Sequence, residues 1–363
     1  MNKKDRDLEL EISKSVISNL SDENLKKAKN VIDNLLEYKR IKKLYDTYIQ
    51  GVRTSLENTG NGKIYVRYNL DGAVTGRLSN SGIYVESGNK SFGKFGISFH
   101  TLPREQEDFN IRNYVIAPEG HKFVTADVKA MELRILAHVS GDKNMINAFK
   151  SGEDLHSFSA SMTFGVDIED VTKEQRQLAK EVSFLTVYGG TAYTLSMRRG
   201  ITEKKAQGII DKWMSAYPSV PKYMDWCRDF IEKNSYISTI FNRRRNLPNI
   251  RSPFKPVRET AYRQGLNFTI QSPASDVLLC SMLGIENVLK KRGMKSKIVA
   301  TVHDSIEFIS PDDEVDTLCG IIYNQMVNYY YLRNNFNIEL KVPIDIDIEV
   351  GTSFGNGKRY EIG

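Results

Sequence analysis

Apolar residues recur at helical spacing between residues 22 and 57, where Leu25, Ala28, Ile32, Leu35, Leu44, Tyr48 and Val52 define one face of a long helix. Ser21 is placed to cap it. Lysines and arginines fill the other positions, densest at Lys39, Arg40, Lys42 and Lys43. A solvated charged face and a nucleic-acid contact account for them equally well. Residues 63–68 read as a short strand. Residues 79–98, with Gly82, Gly88, Gly93 and Gly96, read as an irregular surface loop. Residues 122–127 form a second strand that ends at Asp127. Helical patterns then dominate from 131 to about 235. A helix over 256–270 is expected to stop near Pro273, and another follows over 275–291. Residues 297–309 read as two apolar strands around a His-Asp turn. Strands early and late with helices between them predict an α+β fold, its sheet assembled from distant parts of the chain around a helical insertion.

Length and composition narrow the class only slightly. A chain of 363 residues is too long for one ordinary core and fits two or three subdomains. Its 40% apolar and 26% charged content describes a soluble globular protein, and no apolar run reaches the ~18 residues of a membrane span. The N-terminus MNKKDRDLEL lacks the apolar stretch of a signal peptide, so a cytoplasmic location is expected. Cys227, Cys280 and Cys319 form no CxxC pair and suggest neither disulfides nor zinc. The net charge of +6 permits a polyanionic partner without demanding one.

The chemistry lies in three constellations. Asp127 ends one apolar strand and Asp304 sits in the turn between two others. Neighbouring strand ends could bring them together to hold Mg²⁺ ions ~3.5–4 Å apart for in-line phosphoryl transfer. From spacing alone, each as a plain turn residue is the simpler reading. Arg176, Lys180, Phe184 and Tyr188 recur every four residues and form a stripe on one helix face. Two cations and two rings suit a nucleoside triphosphate, and they equally suit an amphipathic helix with an aromatic edge. Arg263, Asn267 and Gln271 repeat the same spacing. They form a polar stripe that could read minor-groove acceptors common to all base pairs.

Taken in order, these segments resemble the polymerase domain of family A DNA polymerases, the bacterial DNA polymerase I type. Residues 75–79 are TGRLS, as in that family. The DVKAMELR of 127–134 is similar to its motif A, DYSQIELR, and the GEDLH of 152–156 to its GxDIH. Residues 176–189 follow its motif B, RxxxKxxxFxxxYG. Arg243, Arg244, Leu247 and Pro248 follow GRRRxLP, residues 263–271 follow RxxxNxxxQ, and the VHD of 302–304 opens motif C, VHDE. The resemblance runs along nearly the whole chain. It implies a right-hand fold with an antiparallel-sheet palm (63–132 and 263–363), helical fingers (133–262) and a partial helical thumb (1–62).

The resemblance further implies a template-directed DNA polymerase that adds dNTPs to a primer 3′-hydroxyl. Asp127, Asp304 and the Val128 carbonyl would bind two Mg²⁺ ions, with Mn²⁺ as a substitute. Arg176, Lys180 and His156 would clamp the triphosphate, Lys180 also donating a proton to pyrophosphate. Phe184 would stack near the incoming nucleotide and imply poor use of dideoxynucleotides. Glu132 with Tyr188 would exclude a 2′-hydroxyl. Arg77, Arg263, Asn267 and Gln271 would face the primer–template minor groove, with His303 beside the primer terminus.

Departures accompany the match. Ser305 stands where the family has Glu, and Val128, Ala130 and Leu185 replace its usual Tyr, Gln and Gly. The segment after Arg77 is longer by roughly a dozen residues, a length that surface loops tolerate. It leaves His100 where a minor-groove Gln is expected. The front end is short, with no room for an exonuclease. This implies a fragment or a partner chain carrying the N-terminal half, and the divergence points to a phage enzyme acting in the host cytoplasm. Ser305 and the short thumb motivate an alternative, a non-catalytic primer–template-binding subunit of a split polymerase. A single-subunit RNA polymerase is opposed by Glu132, and a lesion-bypass enzyme is a further alternative.

Overall fold

The computed structural model describes residues 22–81, 84–87, 90–94, 97–103 and 110–361. The chain divides into two compact units. One comprises residues up to 67 with 81–98, the other residues 68–80 with 99 onward.

In the first unit, helix α1 (Asp22–Lys43) continues through a π-helical turn (Leu44–Ile49) into α2 (Gln50–Thr59), which closes on Gly60 at φ 62°. The Ser21 cap lies outside the described residues. The expected apolar face is only partly covered. Tyr48 is buried, whereas Ile32 and Leu35 are about half exposed at 50% and 49%. Strand β4 (Lys90–Lys94) packs against α2, and Gly51 of that helix lies beside Ile97. The loop expected over 79–98 is instead largely extended. Strand β2 (Ser79–Ser81) precedes a hairpin of β3 (Tyr84–Ser87) and β4 (Lys90–Lys94), with Gly93 inside β4. Tyr84, Val85 and Phe92 favour a strand strongly enough to override the glycines between them. Gly82, Gly88 and Gly96 lie outside the described residues. Strand β1 falls at Arg67–Asn69, later than expected, and pairs with β2.

The second unit is built on a five-stranded antiparallel sheet of order β11-β10-β5-β9-β8. Its strands are β5 (His121–Val128), β8 (Lys297–Val302), β9 (Ser305–Pro311), β10 (Ile346–Gly351) and β11 (Lys358–Arg359). The sequence reading assigns β5, β8 and β9 and omits β10 and β11, although Ile344, Ile346, Ile348 and Val350 alternate with acidic residues as in a half-buried strand. Side chains alternate across the sheet. Val124, Ala126 and Val128 join Ile306 and Phe308 in the core on one face. Helix α11 (Val315–Met326), followed by α12 (Tyr330–Phe336), packs on β5, β9 and β10.

Between β5 and β8 runs the expected helical insertion. Its members are α3 (Met131–Ser140), α4 (Lys143–Ser151), α5 (Leu155–Phe164), α6 (Lys173–Val187), α7 (Ala192–Arg199), α8 (Glu203–Ala216) and α9 (Ser219–Asn234). A small hairpin of β6 (Tyr236–Ser238) and β7 (Arg244–Asn246) follows. Helix α10 then spans Lys255–Arg292 without a break, so the stop expected near Pro273 does not occur. Proline removes one helical N–H and crowds the preceding turn, a cost of ~3 kcal/mol. Phe268, Ile270, Ala274 and Val277 are buried on both sides of it, and packing against α3, α9, α11 and α12 carries the helix through.

The sheet face opposite α11 holds an unusual group. Glu307, in the middle of β9, has no exposed surface. Burial pushes its carboxyl up to about 7, against hydrogen bonds from Ser305 and Thr125, with the Arg112 charge lowering it and Asp127 raising it. The unfolded chain releases this proton near pH 4.5, while the folded chain keeps it until about pH 7. The contribution to stability is therefore whole at acid pH and declines as pH rises through about 7. Glu307→Gln should gain stability over the wild type at pH 8 relative to pH 5, with a ceiling of about 3 kcal/mol. Paired urea titrations at the two pH values measure it, and equal differences at both would refute the assignment.

Candidate active site

Strand pairing assembles the first constellation. Along β5 and β9 the register sets Asp127 opposite Ser305, so Asp304 lies one residue from the partner of Asp127. The Val128 N–H donates to the Asp304 carbonyl at 3.2 Å and ties the two strand ends together. The Asp127 residue is exposed, and the Asp304 side chain is 36% accessible. On its other side Asp127 pairs in register with Asp347 of β10, whose carboxylate is occupied by Lys129 at 3.0 Å. The backbone at this edge is held in uncommon shapes: Ala130 has φ 49° and His303 φ 59°.

Glu132, the second residue of α3, is 4% exposed. Its two oxygens accept from Arg77 Nη2 and from the Tyr188 hydroxyl, each at 2.5 Å. Arg77 also reaches Asp304 Oδ1 at 3.4 Å. Burial raises the Glu132 pKa against the pull of Tyr188 and Arg77. Burial and the Glu132 bond push the Tyr188 hydroxyl up to about 12, with Gln271 as a further hydrogen-bond partner. The residue pair expected from sequence, Glu132 with Tyr188, is thus in direct contact.

The stripe on α6 is present but partly engaged. Phe184 stacks on Tyr188 with ring centres 6.5 Å apart and faces His156 at 6.2 Å. Arg176 grips Asp154 with two bonds, 2.6 and 3.0 Å. Asp154 also caps α5 by accepting from the Ser157 N–H. Burial works against the Asp154 charge, but Arg176 and Ser157 outweigh it and hold its carboxyl well below the usual carboxylate range. Burial lowers His156 to about 4, the charges of Lys180 and Arg176 adding to the effect, so His156 is neutral at pH 7. Its buried Nδ1 has no partner among the described residues.

On α10, Arg263 is exposed, its stem lying against Gly189 at the end of α6. Asn267 is half-buried, with its Oδ1 unpaired among the described residues. His303 stacks on His100, ring centres 5.4 Å apart, and His100 meets Tyr68 edge-on. Arg77, His100, His303 and Asp304 line one small cleft.

Four participants carry no role in the sequence reading. Asp154 enters there only as part of the GEDLH segment. Asp276 receives Arg243 at 2.6 Å, and the neighbouring Ser275 hydroxyl donates to the Gly76 carbonyl, bracing the turn that carries Arg77. Arg134, from motif A, is buried on Phe149, and its Nε donates to the Lys129 carbonyl at 2.8 Å. Glu307 is signalled only as a charge inside an apolar strand. The Arg243–Arg245 run is likewise absorbed into the fold. Arg244 lies 3.6 Å over the Tyr236 ring, and Arg245 donates to the Gln264 carbonyl.

A helical insertion in an antiparallel sheet, with carboxylates at adjoining strand ends, is the plan of a template-directed polymerase. The sequence model of DNA polymerase family A matches residues 2–356, and the chain belongs to that family. DNA polymerase I of Chloroflexus aurantiacus is 33% identical over 332 residues, which cover 92% of this chain and 33% of that protein. The thermostable DNA polymerase I of Thermus aquaticus is 30% identical over 336 residues, 93% of this chain and 38% of that protein. The chain therefore spans about a third of the length of these relatives. Among solved structures, the POL domain of Pol1 from M. smegmatis, in complex with DNA primer-template and dNTP, superposes with a TM-score of 0.80 at 30% identity. The match covers 92% of this chain and 55% of that one. The α+β fold expected from the sequence is the fold observed. Among the described residues, no helix is long and apolar enough to cross a membrane.

Tyr188→Phe leaves one oxygen of the buried Glu132 without its donor. Urea unfolding at pH 7 should show a loss of about 1–3 kcal/mol. An unchanged midpoint would mean that the pair carries no stability.

Proposed function

We propose that this chain extends a primer 3′-hydroxyl with dNTPs on a DNA template, Asp127 and Asp304 acting as its metal carboxylates. The observation that carries the reading is the β5–β9 register, which sets Asp127 and Asp304 at adjoining strand ends, with Arg77 3.4 Å from Asp304. Residues 63–132 and 263–363 would form the palm, 133–262 the fingers, and residues up to 62 part of a thumb.

Two Mg²⁺ ions fit the donor set, because two accessible carboxylates and the Val128 carbonyl are hard oxygen ligands. Bound there, the ions would lower the pKa of the primer hydroxyl and stabilise the leaving pyrophosphate. The protein groups do the rest. Lys180 and Arg176 would neutralise the triphosphate, and Lys180 would give a proton to the departing pyrophosphate. Neutral His156 can contribute a hydrogen bond but no charge. Glu132, fixed from both sides by Arg77 and Tyr188, presents a buried wall under the sugar where a 2′-hydroxyl would have to fit. Phe184 and Tyr188 offer stacked rings to the base. Arg77, Arg263, Asn267, Gln271 and His303 would lie along the primer–template. The unpaired Asn267 and His156 atoms support this reading, since a buried polar atom without a partner is costly until a ligand supplies one.

Primer extension with Mg²⁺ and dNTPs is the direct test. Wild type should extend, while Asp127→Ala and Asp304→Ala should each lose extension and keep primer–template binding. Binding without extension by the wild type would favour the non-catalytic subunit reading instead.

Asp154 adds a second test. It holds Arg176 by a two-bond pair that a phosphate would have to share. Asn caps a helix as well as Asp does. Asp154→Asn should therefore keep α5 intact and lower the KM for dNTP by roughly two- to fivefold, the range of a partly exposed ion pair. A raised KM would mean that Asp154 positions Arg176 for the phosphate, not against it.

A further inference from the structure

The pair Asp127–Asp304 rests on a hydrogen-bonded anchor that no sequence motif announces. Glu307 is Cα-paired with Thr125 across β5 and β9, on the sheet face that also carries Asp127 and Ser305. One of its carboxylate oxygens accepts from the Thr125 hydroxyl and the other contacts the Ser305 hydroxyl, both at 2.5 Å. The Ser305 oxygen also lies 2.9 Å from the Val302 carbonyl, across the two-residue turn of which Asp304 is a member. A single buried carboxylate thus grips the residue that follows Asp304 and the residue two before Asp127.

The proton arithmetic keeps the network connected in either state. Ser305 has one hydroxyl hydrogen for two acceptors. With Glu307 ionised, that hydrogen goes to Glu307. With Glu307 protonated, Glu307 donates to the Ser305 oxygen, and Ser305 donates to the Val302 carbonyl. The strands remain cross-tied at the level of the two aspartates in both cases.

Stability alone does not account for an acid at this position. A fully buried carboxylate is expensive, and an apolar side chain of similar size would fill the same space at lower cost. Ser305 and Glu307 lie two residues apart on the same strand face. What an acid adds over an apolar group is directional bonding that fixes two strand ends against each other.

We infer that Glu307 is a positioning residue for nucleotidyl transfer, acting through Ser305 and Thr125 to set the separation of Asp127 and Asp304. The inference rests on the assignment of those aspartates as metal carboxylates. It concerns geometry, so its signature is weaker divalent-ion binding and a lower kcat with unchanged substrate affinity.

The test uses the whole chain on a primer–template ending in a normal or a dideoxy terminus. The first is used for single-turnover rates against dNTP concentration. The second is used for Mn²⁺ binding by electron paramagnetic resonance without turnover. Glu307→Leu should weaken Mn²⁺ binding and lower the maximal rate by about tenfold or more, the usual loss when a group orienting metal ligands is removed. Its dNTP and primer–template affinities should stay within about threefold of wild type. Glu307→Gln keeps an acceptor for Ser305 and a group to bond Thr125, and should restore most of both losses. Wild-type Mn²⁺ affinity and rate in Glu307→Leu would overturn the inference, as would parallel loss of DNA affinity. Should Glu307→Leu lose its cooperative unfolding transition, Ser305→Ala decides. It removes one hydroxyl and should lower rate and Mn²⁺ affinity together, and an unchanged rate overturns the inference. Failure of wild type to bind Mn²⁺ or to extend would overturn the assignment of Asp127 and Asp304 themselves.

Discussion

The antiparallel register between β5 and β9 is the constraint on which the rest depends. It aligns Asp127 with Ser305 and Thr125 with Glu307, and it leaves Asp304 at the adjoining turn. Strand periodicity is two, so a slip of one residue would send Asp127 to the core face and bring Ala126 to the edge. The slip is opposed from the other side of the sheet. Val124 and Ala126 of β5 and Ile306 and Phe308 of β9 are fully buried there, and the pair on the slipping strand would have to exchange places with its neighbours. The geometry of a charged site is thus enforced by hydrophobic packing on the opposite face.

The charged residues around this edge are largely neutralised within the protein. Glu132 is shared by Arg77 and Tyr188, Arg176 is held by Asp154, and Arg243 by Asp276. Such pairs hold long side chains in fixed positions, which lowers the ordering cost when a substrate arrives. They also set a competition, since an arriving phosphate must share or displace an existing partner. Lys180, by contrast, makes no ion pair among the described residues, and its charge helps lower the His156 pKa. The α6 stripe therefore combines one cation already oriented by an internal partner with one less constrained cation.

Much of this arrangement could be read from the sequence, for identifiable reasons. The strands at β5, β8 and β9 are short apolar runs bounded by polar turns. The contact of Glu132 with Tyr188 and the i, i+4 stripe on α6 follow motifs that keep their order along the chain. Other features were illegible because their cause is tertiary. Strand β11 has no strong pattern and exists through pairing with β10, while β10 is marked by the alternation of Ile344 to Val350, which the sequence reading omits. Pro273 signals a helix end locally, yet burial on both sides overrides it. The glycines of 79–98 mark a loop, yet Tyr84, Val85 and Phe92 pair as strands. Ile32 and Leu35 fit an apolar stripe but remain exposed, because periodicity reports a possible face and not whether anything covers it. Glu307 carries no motif, and Asp154, though part of the GEDLH segment, takes its role from Arg176, which is distant in sequence.

Two backbone anomalies show how local cost and global order meet at this site. Ala130 and His303, neither of them glycine, sit in the left-handed region beside the two metal-binding candidates. Each such residue costs about 1–2 kcal/mol. Ala130 begins α3, which must turn sharply off β5 so that Glu132 comes under Arg77 and Tyr188. His303 opens the tight turn that returns β8 into β9 while leaving Asp304 at the edge. Relaxing either residue toward ordinary backbone would redirect the chain within two residues of Glu132 or Asp304. At this site the strain falls where the sheet must release the chain and still aim a carboxylate, and the buried register of β5 and β9 is what keeps it in place.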